Sequence, residues 1–366
     1  MKFVVNGNEL SDAVSKVVKA VSTKTTNPIL EGIKITVKGD EVSFLATDTE
    51  ISIEKTIIAS TFTEGETVVP GKMFADFVKK IEDEDEIEFT LLDKELKINY
   101  GSSEGFIQTF NAEEFPIINK DIKEKYFSIK QKDFKELILK SSFACSQDEA
   151  RPLLKGCLLE IENDEITSIA LDGFRLALYR KKLLEKSENF KIIVTQRTLN
   201  EIVRILENDD DVVSIIVQKN VLMCEVNGTV LISRLLEGDY IDYRNIIKDE
   251  YLTLVKVNKN QLLTAIDRAS ALNNDIKKIV KFDIKENYMS VSSSSEAGKM
   301  NENVLINLEG KDLTISFNSK FVVDSIKAID DEFINLYFNN KINPCVIKPY
   351  SGNDYLYLIV PLRINA

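Results

Sequence analysis

The sequence predicts an α+β chain of three similar domains, in which helices cover one face of largely antiparallel sheets. Three recurring patterns predict it. A strand, a short polar turn and a helix read VVPGKMFADFVKKI at Val68–Ile81, IVTQRTLNEIVRIL at Ile193–Leu206 and SFNSKFVVDSIKAI at Ser316–Ile329. An alternating strand ends SFLATD at Asp48, TSIALD at Asp172 and MSVSSS at Ser294. A strand that opens each unit is followed by a helix. The offsets agree at a period of about 125 residues, which is domain-sized and far longer than a solenoid repeat.

Taken in order, Phe3-Val4-Val5-Asn6 leads into a helix over about Leu10–Val21, with Leu10, Val14, Val17, Val18 and Val21 on one face. Phe127-Ser128-Ile129-Lys130 leads into a helix over about Lys132–Ser142 that carries Phe134 and Leu137. Val255-Lys256-Val257-Asn258 leads into one over about Lys259–Leu272 that carries Leu262 and Ile266. The second helices follow turns at Gly71, Gln196 and Asn318. Acidic runs at Glu82–Glu88 and Glu207–Asp211 come next and read as solvated turns. Alternating strands follow at Ile87–Leu91, Val213–Val217 and Ile334–Phe338. The units run over 1–120, 126–247 and 251–366, divided by polar junctions around Asn119–Lys125 and Ile247–Tyr251. Neither junction is a Gly/Ser linker, so the domains are expected to dock closely.

The chain of 366 residues is 44% apolar and 29% charged, as soluble globular proteins are. It contains no histidine, the commonest general base and metal ligand. Cys145, Cys157, Cys224 and Cys345 have no C-x-x-C spacing and lie in or beside apolar segments, so they read as buried, reduced thiols. MKFVVNGNEL turns polar after five residues, unlike a signal peptide, and no apolar run approaches the about 18 residues of a membrane span. A cytoplasmic protein is expected.

The net charge is −12, yet the six helical segments carry +2, +2, +1, +1, +1 and +1, which leaves −20 on the rest. An acidic body with basic helices suits a protein that holds polyanionic DNA on one surface and is repelled elsewhere. Amphipathic helices also carry surface lysines for solubility, so charge alone leaves both readings open. Asp48 and Asp172 stand at equivalent strand ends, as paired catalytic or magnesium-binding carboxylates do. The third unit has Ser294 there, and no phosphate loop or nucleophile elbow accompanies them. An enzyme and a repeat-built scaffold without DNA are the competing readings.

The segment ARPLLKG…LDGFRLALYRKKL at Ala150–Leu183 resembles the middle domain of the bacterial sliding clamps, the beta subunits of DNA polymerase III. EGDYIDYRNII at Glu237–Ile247, NPILEGIKI at Asn27–Ile35 and YLIVPLR at Tyr357–Arg363 also resemble that family, and the similarity runs the whole length. The resemblance implies three processivity-fold domains per chain. Two chains would close head to tail around duplex DNA, helices inside and antiparallel sheets outside. It implies a non-catalytic subunit without cofactor. Its expected partners are the replicative polymerase, an ATP-dependent clamp loader and repair proteins.

By the same resemblance, a cleft between the second and third domains takes a partner peptide. The matching positions are Leu154, Leu171, Gly173, Phe174, Arg175, Leu176, Ile241, Ile246, Pro344, Val360, Pro361, Leu362 and Arg363. Apolar side chains would receive Leu or Phe anchors, and Arg175 and Arg363 would guide polar parts. Phe174, Ile241 and Asn245 stand where the family often has His or Tyr, Pro and Arg. Helix-borne Lys72, Lys79, Lys80, Arg197 and Arg204, with Lys24 in the loop after the first helix, are the expected DNA contacts. Phe106, Ile107, Ala271 and Leu272 match the family's dimer interface.

Overall fold

The computed structural model describes residues 1–366 except 24, 121–124, 249, 272–277, 297 and 364–366. The described residues form six α-helices: α1 (Gly7–Val17), α2 (Gly71–Val78), α3 (Gln131–Leu139), α4 (Gln196–Ile205), α5 (Lys259–Ala271) and α6 (Ser319–Lys327). Every strand ladder among them is antiparallel, in sheets of five, eight and twelve strands. The chain separates into two compact units, Met1–Lys132 with Asn200–Leu235, and Asp133–Leu199 with Leu236–Ala366.

This division cuts through the middle repeat, because strands pair across repeat boundaries. In the first unit Thr229–Arg234 runs beside Ile51–Ile58, with Leu231 opposite Ile53. In the second unit Arg175–Lys182 runs beside Tyr355–Ile359, with Ala177 opposite Tyr357. Each such ladder makes one continuous sheet from two repeats.

The first unit holds the five- and eight-stranded sheets. Leu10, Ala13, Val14 and Val17 form the buried stripe of α1, and Phe74 and Val78 that of α2. Phe3 stacks on Phe89 at 4.9 Å, and Phe74 meets Phe89 edge-on. Full burial of each Leu or Phe stabilises the unit by about 1.5–3 kcal/mol. The second unit holds the twelve-stranded sheet, with Leu262, Ala265, Ile266 and Ala269 of α5 and Val322 and Ile326 of α6 buried.

One helix start, that of α1, differs from the sequence expectation for a local reason. α1 begins at Gly7, three residues earlier than the apolar period indicates, because Asn6 caps it. The Asn6 Oδ1 accepts from the amides of Asn8 and Glu9 at 3.0 and 3.3 Å. α1 then tightens into a 3-10 turn at Val18–Ala20, and α3 stops at Leu139 before another at Ser142–Ala144.

The acidic turns are structural and not merely solvated. The carbonyl of Glu84 accepts from Gly7 N at 3.0 Å, that of Asp211 from Gln131 N at 2.8 Å, and that of Glu332 from Lys259 N at 2.8 Å. In each repeat, the turn after the second helix satisfies an orphan amide at the start of the first. Gly7 is required there, since a Cβ would lie 2.6 Å from the Glu82 and Glu84 carbonyl oxygens.

All four cysteines are buried and form no disulfide, with the Cys145 and Cys157 sulfurs 3.5 Å apart. Among the described residues, no helix is long and apolar enough to cross a membrane.

Candidate functional site

Most of the expected cleft residues meet in the second unit, in two layers. Leu154, Leu171 and Leu176 are 4%, 3% and 2% exposed and pack with Leu158, Leu178, Val346 and Leu358. They form a floor and offer little surface to a ligand. Above them, Val360 packs against the cluster half-buried. Val360 N donates to the Phe174 carbonyl at 2.8 Å, which ties the C-terminal segment to the turn at Asp172–Arg175.

That turn follows from its sequence. Asp172 Oδ1 accepts from Phe174 N and Arg175 N at 2.8 and 3.0 Å, and Gly173 takes φ +92°, a conformation that disfavours side chains. Asp48 Oδ1 likewise accepts from Glu50 N and Ile51 N in the first unit. Both carboxylates of the enzyme reading thus have a structural role in their own turns. Phe174 is left 59% exposed and stacks on Phe321 of α6, with ring centroids 6.3 Å apart.

A recess of about 80 Å³ opens beside the floor, lined by Ile246, Tyr251, Tyr337, Pro344, Val346 and Leu358 among others. Ile246 and Pro344 of the expected cleft therefore line an actual depression. Tyr251 and Tyr337 meet edge-on at 4.5 Å, and Lys348 lies over the Tyr337 ring. Ile241, Pro361, Leu362 and Arg363 neither line this recess nor join the cluster. Ile241 and Arg363 are exposed, Leu362 is half-buried and Pro361 is buried.

The segment bearing Ile241 and Ile246 is anchored through Glu160, whose side chain is 2% exposed. Tyr243 donates to Glu160 Oε2 at 2.5 Å, and Arg244 forks onto both carboxylate oxygens at 3.1 and 2.8 Å. Lys191 supplies a further cation at 2.5 Å.

Arg175 differs from expectation. Its side chain is 8% exposed, and its guanidinium donates to Asp172, Asp324 and the Phe143 carbonyl at 3.1, 2.7 and 2.8 Å. A fork committed to internal partners does not guide a peptide.

The expected DNA contacts Lys72, Lys79, Lys80, Arg197 and Arg204 are exposed. Lys24 lies outside the described residues. Lys72 and Lys79 stand seven residues apart, nearly two turns, on one face at α2 and its C-cap. Arg197 and Arg204 have the same spacing on α4, and so do Lys320 and Lys327 on α6, both exposed. An acid stands four residues after the first cation each time: Asp76, Glu201 and Asp324. Lys320 and Lys327 are absent from the expected contacts, although this spacing marks them.

Of the expected interface residues, Phe106 is 51% exposed and Ala271 is exposed. Ile107 is 7% exposed and sits opposite Leu96 in the sheet, so its side chain belongs to the unit's own core. Alternation along a strand turns one neighbour out and the next in. Leu272 lies outside the described residues. The strand Ser103–Gln108 ends the five-stranded sheet. The strand Gly298–Gly310 pairs on one side over 298–305 and on the other over 306–310.

Three domain models of the DNA polymerase III beta subunit match in order: the N-terminal domain over 1–119, the central domain over 128–242 and the C-terminal domain over 244–363. The chain belongs to the bacterial DNA polymerase III beta subunit family, the sliding clamps of DNA replication. It is 32% identical to the beta sliding clamps of Staphylococcus epidermidis and Staphylococcus aureus over 374 aligned residues, covering 99% of each chain. It also resembles the solved DNA polymerase sliding clamp of Bacillus subtilis, with a TM-score of 0.96, 31% identity and full coverage of both chains. For the beta subunit of Thermotoga maritima the TM-score is 0.93 at 29% identity, again over both whole chains. The family's three-domain fold therefore spans this chain.

Proposed function

We propose that this sliding clamp encircles duplex DNA as a head-to-tail homodimer and tethers the replicative polymerase and repair proteins to it. The reading takes domains at 1–120, 126–247 and 251–366. The observation that carries it is the repeated cation pair: Lys72/Lys79, Arg197/Arg204 and Lys320/Lys327 occupy equivalent places on the second helix of every repeat. Equivalent cations on repeated helices suit phosphate contacts that position without reading sequence. A closed ring holds by topology, so these contacts stay weak and allow sliding. A tethered polymerase gains effective concentration at its template.

Ring closure would join copies of the chain through sheet edges. The outer edge of Ser103–Gln108, bearing Phe106, and the edge of Gly298–Leu305 that has no ladder among the described residues are templates for strand addition. Partner peptides would seat Leu or Phe anchors in the recess between Ile246, Pro344 and Leu358. They would continue over Val360, which packs on the cluster that holds Leu358, toward Phe174, whose carbonyl holds Val360 N. Ile241, Pro361, Leu362 and Arg363 would be rim positions. The subunit is non-catalytic and cytoplasmic in this reading, and opening the ring requires a separate ATP-dependent loader.

The test is retention on DNA. The protein is loaded on nicked circular DNA with an active bacterial clamp loader and ATP, and the circle is then cut. Retention on the circle with release from the cut ends is expected. Equal retention on both forms would mean ordinary electrostatic binding and would overturn the proposal.

A further inference from the structure

Asp324 pairs outside its own helix, unlike its counterpart in the middle repeat. It stands four residues after Lys320 and three before Lys327, within reach of both on one helix face. Its counterpart in the middle repeat, Glu201, pairs in this local way with Arg204 at 2.5 Å. Asp324 instead pairs with Arg175, 149 residues away in sequence, at 2.7 Å. The guanidinium carbon also lies 4.6 Å from the centre of the Phe321 ring and 5.5 Å from that of Phe143. Arg175 therefore touches both ends of α6's contact with the turn: Asp324 by charge and Phe321 by its face.

The next residue back in the chain is Phe174, whose exposed ring stacks on Phe321 with 22° between the planes. Left alone, an exposed phenylalanine beside a left-handed glycine samples several rotamers. Here its backbone is fixed by Asp172 and Val360, and the ring it stacks on is fixed by the Arg175–Asp324 tie.

We propose that Arg175 is a positioning residue that, through Asp324, holds Phe174 and Phe321 as a preformed aromatic wall of the peptide cleft. It contacts no peptide itself. The inference rests on the cleft reading given above and adds how the wall is built. A preordered wall strengthens binding by removing the cost of ordering two aromatic side chains when the peptide arrives. Asp324 thereby acts on the cleft from behind its wall, through the Arg175 fork.

The chain has no tryptophan, so Phe174→Trp places a single reporter in the wall. In the full-length protein, acrylamide quenching of that tryptophan is measured alone and with Asp324→Asn or Arg175→Lys. Asp324→Asn keeps the shape and removes the charge, while Arg175→Lys keeps the charge and removes the fork. Binding of a fluorescein-labelled pentapeptide with Leu and Phe anchors is measured on the same proteins. Both second changes are expected to raise the quenching constant about twofold and weaken the peptide about fivefold.

Quenching that stays at the parent value, even with a lowered melting temperature, would mean a purely structural ion pair and overturn the proposal. Increased quenching with unchanged peptide affinity would also overturn it, because the wall would then lie outside the cleft. If the parent protein binds no peptide while the wild type does, the reporter has damaged the wall, and Asp324→Asn in the wild-type background decides by the same fivefold criterion. A wild type that binds no peptide rejects the cleft reading itself, and this inference with it.

Discussion

Tyr179 donates its hydroxyl to Glu136 Oε1 at 2.6 Å, joining the strand Arg175–Lys182 to α3. Lys140 and Lys181 reach the same carboxylate at 2.5 and 2.6 Å, and Lys140 also pairs with Asp330. Tyr179 stacks on Tyr355, and Tyr357 donates to the Lys140 carbonyl at 3.0 Å. Residues of the second and third repeats thus share one polar network inside the second unit.

Glu136 makes this network sensitive to acid. Burial opposes its charge, but the hydrogen bonds from Lys140, Lys181 and Tyr179 outweigh burial and hold its pKa down to about 2, from an ordinary 4.5. A depressed carboxylate stabilises the fold fully above its unfolded pKa, and that contribution fades as pH falls toward the folded value. Glu136→Gln should therefore be clearly less stable than wild type at pH 6, with the gap narrowing between pH 4.5 and 2. Urea midpoints at pH 6 and 3 check this. An equal gap at both would show that the ionised carboxylate is not the source.

The recess predicts a separable defect. Ile246 is 37% exposed at its rim, so Ile246→Asp leaves the core intact and costs less than about 1 kcal/mol of stability. A buried carboxylate facing apolar peptide anchors is strongly unfavourable. Peptide affinity should fall at least about tenfold, read by fluorescence anisotropy, with loading on circular DNA retained. A variant that binds peptide normally would exclude the recess as the anchor site.

The helix cations carry a quantitative expectation. Each phosphate deprived of its protein cation lowers the slope of log affinity against log salt by about 0.9. Lys72→Ala with Lys79→Ala should reduce the slope for short linear duplex by about 2 per chain, since both are exposed on one helix. Retention on closed circles should change little, because topology holds the ring. An unchanged salt slope would remove this pair from the DNA surface.

Periodic features are legible in this sequence, and tertiary ones are hidden. The three strand–helix patterns place α2, α4 and α6 to within a residue at their starts, because a turn residue and an apolar period both mark those points. The apolar period places α1 late because Asn6, a cap, stands before the first apolar residue of the helix. Ile246 and Pro344 come from the family resemblance, and both line the recess. Arg175 also comes from the family resemblance, and nothing in the local sequence shows that its guanidinium is held internally. Its partners Asp324 and the Phe143 carbonyl come from other elements, with no spacing to connect them. Phe106 and Ile107 come from the same resemblance, and period-2 alternation sends Phe106 outward and Ile107 inward, so the two do not share one face of the strand.

That alternation makes Phe106 the residue to test at the ring joint. Its ring is 51% exposed on an end strand of the five-stranded sheet, with Lys97 above it at 5.7 Å. Charging an exposed residue on an edge strand costs the isolated chain little, since Phe106 has no part in the core. In a dimer joined along this edge, a glutamate there would be buried without a matched cation, a substantial penalty. Lys97 offers only partial compensation, because it already pairs with Glu104 at 2.7 Å. Phe106→Glu should therefore give monomers of unchanged thermal stability by light scattering, and should lose retention on circular DNA even with active loader. A Phe106→Glu protein that stays dimeric at micromolar concentration would place the joint elsewhere on the chain.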